Sequence, residues 1–266
     1  MKQILSALVA ASGALIASAP FSASAADVTW GKPTTISHNS NVIKTGKLFQ
    51  AVSFQGGGIG SGEKGVGDIA VNGVTFTEFD AYQGSTTATP ITQGNISITG
   101  NITDPANYNG CATSVAFGKK AAPFNTLSPS YQALLSSGVF DDHGGNLTLT
   151  LSGLTTGHKY KVQLFVNDAR GTANRSETVT GGTKTSKAVL FSSTPTEGSI
   201  GQFITGTFIA DGTASQVLTL TGTPDAPLHT QLNALLITDL SGKTTSPPEP
   251  APATTPVHHH KIEPAS

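Results

Sequence analysis

The stretch that decides the fold is Asn146-Leu-Thr-Leu-Thr-Leu151, followed after one turn by Tyr160-Lys-Val-Gln-Leu-Phe-Val166. Leu147, Leu149 and Leu151 alternate with Thr148 and Thr150. Tyr160, Val162, Leu164 and Val166 alternate with Lys161, Gln163 and Phe165. Successive side chains of a strand point to opposite faces, so this period of two predicts strands with one face in a core. The connection, Leu154-Thr-Thr-Gly157-His-Lys-Tyr160, has the form of a tyrosine corner, in which the phenol hydroxyl bonds back to upstream backbone.

Working outward, Asp68 to Val71 and Val74 to Phe79 flank Asn72-Gly73, a strong hairpin signal because both residues tolerate positive φ. Further strands are expected at 47–54, 95–99, 112–117, 186–191, 202–210, 215–221 and 231–239. In the last, Leu232, Ala234 and Leu236 are expected on one face and Leu235 and Ile237 on the other, as in a central strand covered on both sides. One short helix is expected, capped by Ser128, with Pro129 first, Leu134 and Leu135 on its apolar face and Gly138 ending it. Many short strands with Gly-rich and Thr-rich turns predict an all-β protein, an antiparallel β-sandwich of jelly-roll type.

The flanks differ from this body. Lys2, the apolar run Ile4 to Ala17 and Ala23-Ser24-Ala25 form the pattern of an export signal over residues 1–25. After Leu240 the composition turns Pro-rich without apolar periodicity, so 241–266 reads as a disordered tail and 26–240 as one sandwich domain. Removing Lys2 with the signal takes the formal charge from −1 to −2. That balance excludes the basic stripe with which proteins grip nucleic acid. No segment approaches the roughly 20 apolar residues of a membrane span, so no membrane insertion is expected. Charged residues are 12% of the chain, about half the usual share, which predicts a neutral, hydroxyl-rich surface. Cys111 is the only cysteine, so an intramolecular disulfide or a cysteine-based zinc site cannot form.

Two groups of segments carry a family resemblance: Trp30-Gly31 through Val71-Asn72-Gly73-Val74-Thr75-Phe76, and Leu154 to Arg170 with Gly201-Gln202-Phe203, Gly206-Thr207-Phe208 and Gln231-Leu232-Asn233-Ala234-Leu235. They resemble secreted bacterial jelly-roll proteins of the planctomycete and verrucomicrobial type, similar in architecture to galactose-binding-like and malectin-like modules. The resemblance implies the sandwich fold and a binding role. Many such proteins end in a PEP-CTERM sorting tail; Pro248-Glu249-Pro250 is present here, but no apolar helix or basic cluster follows it.

Arg170 and Arg175 are the only arginines, and both fall in one loop after the strand ending at Val166. A planar guanidinium suits carboxylates and vicinal hydroxyls, so Asn167, Asp168, Arg170, Asn174 and Arg175 form the candidate ligand site. The structural alternative pairs the two arginines with Asp168 and Glu177 to shape the loop, and both roles are compatible. In Asp141-Asp142-His143-Gly144-Gly145-Asn146, Asp141, Asp142 and Asn146 are oxygen donors suited to calcium, while the same residues also make an ordinary turn, the favoured reading. Gly56 to Gly62 lacks the following helix that a phosphate loop requires, and His258-His259-His260 lies in the tail. Trp30 is expected in the core, while Tyr82 and Tyr108 lie in expected loops.

No cofactor is expected beyond that calcium option. The favoured function is an exported, non-catalytic sandwich, secreted or periplasmic, that binds a glycan or cell-envelope component through loops at one end. A self-associating structural surface protein and a polysaccharide-cleaving enzyme using Asp142 or Asp168 are the alternatives.

Overall fold

The protein is described by a computed structural model over residues 25–55, 65–81, 90–100, 112–114, 116–141, 146–171, 175–223 and 229–241. Over these residues it is an all-β sandwich with one α-helix and no barrel. Across its width the larger sheet runs Thr29–Trp30, Gln202–Ile209, Lys159–Val166, Ala234–Asp239, Lys47–Gln55, Val74–Asp80 and Ile69–Val71, with Thr34–Thr35 also on Gln202–Ile209. The second runs Lys184–Thr185, Ser176–Gly181, Gln216–Gly222, Asn146–Leu151, Ile96–Gly100 and Ile91–Gln93, with Val189–Leu190 on Ser176–Gly181. A small third sheet joins Thr230–Leu232, Gly138–Asp141 and Ala112–Ser114. All pairings are antiparallel except that of Lys47–Gln55 with Val74–Asp80, which is parallel.

The alternating strands pack as their pattern requires. Leu147, Leu149 and Leu151 meet Tyr160, Val162, Leu164 and Val166 in a buried layer between the two large sheets. Each such side chain contributes about 1.5–3 kcal/mol by leaving water. A second apolar layer covers the outer face of the larger sheet. There Ala51, Phe76, Phe165, Ala234 and Leu236 pack under Tyr131, Leu134 and Leu135 of the helix Pro129–Ser136. Phe165, which interrupts a simple in-out reading of its strand, thus has its own core, and the larger sheet is covered on both faces.

Local signals act as expected at several points. Asn72 and Gly73 take φ of 51° and 74° in the hairpin between Ile69–Val71 and Val74–Asp80. Ser128 Oγ accepts the Tyr131 N–H at 3.3 Å at the helix start. The Tyr160 hydroxyl accepts the Thr155 N–H at 2.8 Å, completing the tyrosine corner. The helix Pro129–Ser136 is followed by Ser137 in extended geometry as its cap and then by Gly138, which opens the strand Gly138–Asp141. Trp30 is half-buried against the core edge, its Nε1 donating to the Lys184 carbonyl at 3.1 Å.

The last strand departs from the expected facing. Leu232 shares the inter-sheet core with Leu235 and Ile237, whereas Ala234 and Leu236 face the helix layer. The break lies at Asn233, where the chain passes from the small sheet into the large one between Thr230–Leu232 and Ala234–Asp239. One irregular residue shifts parity, so Leu232 points opposite to where strict alternation puts it.

The strand Ser176–Gly181 has no counterpart in the expectations from sequence. Glu177, Val179 and Gly181 are its inward positions. A carboxylate at the first inward position hides the apolar alternation that marks a strand.

Candidate functional site

The loop leaving strand Lys159–Val166 begins with two fully buried polar residues, Asn167 and Asp168. Asn167 is consumed by the fold. Its N–H donates to Asn233 Oδ1 at 2.7 Å, its Nδ2 to the carbonyls of Phe117 and Leu135, and its Oδ1 accepts the Gly201 N–H at 2.9 Å. Gly201 must be glycine for this approach, since a Cβ would lie 2.7 Å from both Asn167 Cα and the Phe191 carbonyl oxygen. Asn233 is equally engaged, donating to the carbonyls of Leu135 at 3.0 Å and Ser137 at 2.7 Å and accepting from Gln231 Nε2 at 3.1 Å. Gln231 Nε2 also donates to the Asn167 carbonyl. These three amides tie the strand end, the helix end and the small sheet together, which places the next residues of the loop.

Asp168 is the anchor of those next residues. Its N–H donates to the Phe191 carbonyl at 2.7 Å. Its carboxylate takes Arg170 Nε on Oδ1 and Nη2 on Oδ2, both at 2.8 Å, and the Arg170 backbone N–H at 3.1 Å. Arg175 Nη1 stands 3.6 Å from Oδ2. Two parallel charge-assisted bonds fix the guanidinium plane, and the hydrogen bond to Asp168 raises the Arg170 pKa above its ordinary value. The plane lies over Phe117, with Cζ 5.0 Å from the ring centroid, and Phe117 meets Phe140 edge to face at 5.8 Å. Rings and guanidinium hold one another in position.

These groups wall a pocket of about 180 Å³ lined by Phe117, Phe140, Arg170, Arg175, Phe191, His229, Thr230 and Gln231. Its wall is drawn from distant parts of the chain, with Phe140 and Thr230 supplied by paired strands of the small sheet. Behind Gln231 lies Glu177, fully buried, whose Oε2 accepts the Gln231 N–H at 2.8 Å. Burial pushes the Glu177 carboxyl well above the ordinary glutamate value, and the Gln231 hydrogen bond opposes this more weakly. Among the described residues Glu177 Oε1 has no hydrogen-bond partner.

Of the residues expected at the site, Arg170 and Arg175 reach the pocket, Asp168 orients them from beneath, and Asn167 faces inward as a strut. Both arginines converge on Asp168 rather than being divided between Asp168 and Glu177. Asp141 ends a strand and stands opposite Thr230 in register, beside the pocket, and Asn146 begins the next strand opposite Thr221. Asp142, His143 and Asn174 lie outside the described residues, as do Gly56 to Gly62, Tyr82, Tyr108, Cys111, His258 to His260, residues 1–24 and the tail beyond 241. Among the described residues no three or more His, Cys, Asp or Glu stand together as a metal cluster. No described helix is long and apolar enough to cross a membrane. The phenylalanines, His229, Thr230 and Gln231 carry no local site signal. The legible clue was Gln231-Leu232-Asn233, two amides inside an apolar strand, which buried positions tolerate only when hydrogen-bonded.

No family model matches the chain, and no curated protein matches it. Among solved structures it is similar to the ectodomain of ANX2 from Arabidopsis thaliana, with a TM-score of 0.44 and 14% identity over 75% of this chain and 54% of that one. It is also similar to the ANX1 ectodomain from the same plant, with a TM-score of 0.43 and 13% identity over 74% of this chain and 49% of that one. The chain thus spans about half the length of these structures. A likeness of this extent carries no inference about ligand or activity.

Proposed function

We propose that this protein is an exported, non-catalytic β-sandwich that binds a glycan or another cell-envelope component in the pocket walled by Arg170, Arg175 and the three phenylalanines. The observation that carries the reading is the clamping of the Arg170 guanidinium by buried Asp168 at the pocket wall. A donor group fixed before the ligand arrives loses little conformational freedom on binding, and rings beside it offer an apolar face. Saccharides present that combination of hydroxyls and apolar ring faces. Export is supported by the pattern of residues 1–25, and the hydroxyl-rich, weakly charged composition suits the outside of a cell.

The test is affinity electrophoresis of the full chain through gels containing a panel of soluble polysaccharides, run with calcium and with a chelator. Retardation by one glycan class, lost in the Arg170→Lys variant, is the expected result. Loss of retardation on chelation would add a metal at Asp141, Asp142 and Asn146. Unretarded migration in every gel overturns the glycan reading.

A further inference from the structure

We infer that the outer face of the second sheet, paved with threonine, is the surface through which two copies of this chain pair face to face. The inference concerns a different part of the molecule from the pocket and stands apart from the glycan reading.

Strand register sets the threonines in rows. Thr185 stands opposite Thr180, Thr180 opposite Thr219, Thr219 opposite Thr148 and Thr148 opposite Thr99, one row across five neighbouring strands. A second row, Val217, Thr150, Ser97 and Thr92, runs beside it two residues further along each strand. The residues between them in sequence, among them Leu149, Leu218 and Ile98, point into the core. Alternation therefore turns both rows outward.

Charge is missing from this face. Strands Ser176–Gly181, Gln216–Gly222, Asn146–Leu151, Ile96–Gly100 and Ile91–Gln93 contain one charged residue, Glu177, and it is buried on the inward side. Soluble surfaces are roughly 25–35% charged, and lysine on exposed strands is a common guard against pairing between molecules. The larger sheet differs. Its outer face is covered in part by the helix Pro129–Ser136, and beyond the helix it carries Lys159 and Lys161 on the same side as Phe165.

The chemistry of the face selects the occupant. A hydroxyl both donates and accepts, so a row of threonines is complementary to an identical row, whereas a row of like charges repels its own copy. Towards the margins hydroxyls bond one another, Thr180 with Thr185 at 2.9 Å and Thr92 with Ser97 at 3.1 Å. Those of Thr148, Thr150 and Thr219 in the middle make no hydrogen bond to another described residue. Val217, 37% exposed, adds an apolar side chain that pairing would bury.

The area suffices for a weak dimer. The strand order from Lys184–Thr185 to Ile91–Gln93 places six strands side by side. At the usual strand spacing and rise they span about 24 Å by about 20 Å, which is about 480 Å² on each copy or roughly 1,000 Å² in total. That reaches the lower end of specific interfaces. Two such sheets stack about 10 Å apart with their strands within about 30° of one another. Because each copy uses the same patch, the contact closes at two.

The experiment is sedimentation equilibrium of the full chain from about 1 μM to about 1 mM, the range of weak association. The mass should rise from one chain to two and stop there. Raising the salt to about 1 M should leave the association unchanged, since no charges meet across the face. Thr219→Lys and, separately, Thr148→Lys should each weaken it at least about tenfold by burying an unpaired charge, with circular dichroism reporting that the variants are folded. Thr207→Lys, on the other sheet, and Arg170→Lys, in the pocket, should leave it intact. A single-chain mass over the whole range overturns the inference, as does a dimer of unchanged strength in both face variants. Growth beyond two chains overturns the closed pairing. A single-chain protein retarded in a gel of neutral polysaccharide, with the retardation lost in Thr219→Lys and kept in Arg170→Lys, overturns the second copy as occupant and assigns the face to a glycan.

Discussion

Arg170 grips Asp168 with two parallel hydrogen bonds of 2.8 Å, and the partners are unequal in burial: the aspartate is fully enclosed while the arginine side chain is 38% exposed. The asymmetry predicts unequal costs of truncation. Arg170→Ala leaves a buried carboxylate with the backbone N–H of residue 170 at 3.1 Å and Arg175 at 3.6 Å. Breaking a fully buried pair costs roughly 3–5 kcal/mol, and partial solvation of this one brings the expected loss to about 2–3 kcal/mol. Asp168→Ala lets Arg170 turn toward water and should cost less. The double variant should be no less stable than Arg170→Ala alone. Urea unfolding of all four proteins measures the cycle, and additive costs would refute the coupling.

Asn233 should be among the least replaceable residues in the molecule. Asn233→Ala strips the side-chain partner from the Ser137 carbonyl and from the Asn167 N–H, and leaves the Leu135 carbonyl with Asn167 Nδ2. Each buried group left unpaired costs about 1–3 kcal/mol, so a loss above roughly 3 kcal/mol is expected. Because the same amide positions Gln231 and Asn167, ligand affinity should fall with stability. A variant of near-native stability would show that the network is not a strut.

Two tyrosine-to-phenylalanine changes should have opposite signs. In Tyr160→Phe the Thr155 N–H loses its acceptor, and stability should fall by about 1 kcal/mol. The Tyr131 hydroxyl is buried in the second core with no partner among the described residues, and burial raises its pKa. Tyr131→Phe removes a desolvated group and should raise stability by up to about 1 kcal/mol. Thermal melts of the pair decide it; a loss at Tyr131 as large as that at Tyr160 would mean its hydroxyl is bonded.

Glu177 gives the fold a pH dependence whose sign follows from its raised pKa. The unfolded chain ionises near the ordinary glutamate value, about 4.3, before the buried group does. Its contribution to stability is therefore full below that pH and is lost as pH rises toward the folded value. Glu177→Gln keeps an acceptor for the Gln231 N–H and cannot ionise. The variant should match the parent near pH 4 and exceed it at pH 8 in denaturant midpoint. A difference that does not change with pH would remove Glu177 as the cause.

The sequence alone determined what short-range physics controls. Period-two alternation at Leu147 to Leu151 and Tyr160 to Val166 marks inward faces, Asn72-Gly73 permits the positive φ of its hairpin, Ser128-Pro129 starts the helix, and Tyr160 lies within reach of the Thr155 backbone. Each depends on residues a few positions apart, so composition and spacing suffice. The pairing of two arginines with a candidate loop was legible for the same reason. Only the tertiary structure decided which strands are neighbours, and with them the pocket, because alternation says that a side chain turns inward without saying what it meets there. Phe117, Phe140, Phe191 and Gln231 converge through three separate pairings. Asn233 reverses the facing of Leu232 at a change of sheet, and Glu177 sits inside a strand with the Gln231 N–H on its Oε2. Those contacts span tens of residues, and their energies exist only once the chain has closed the intervening loops.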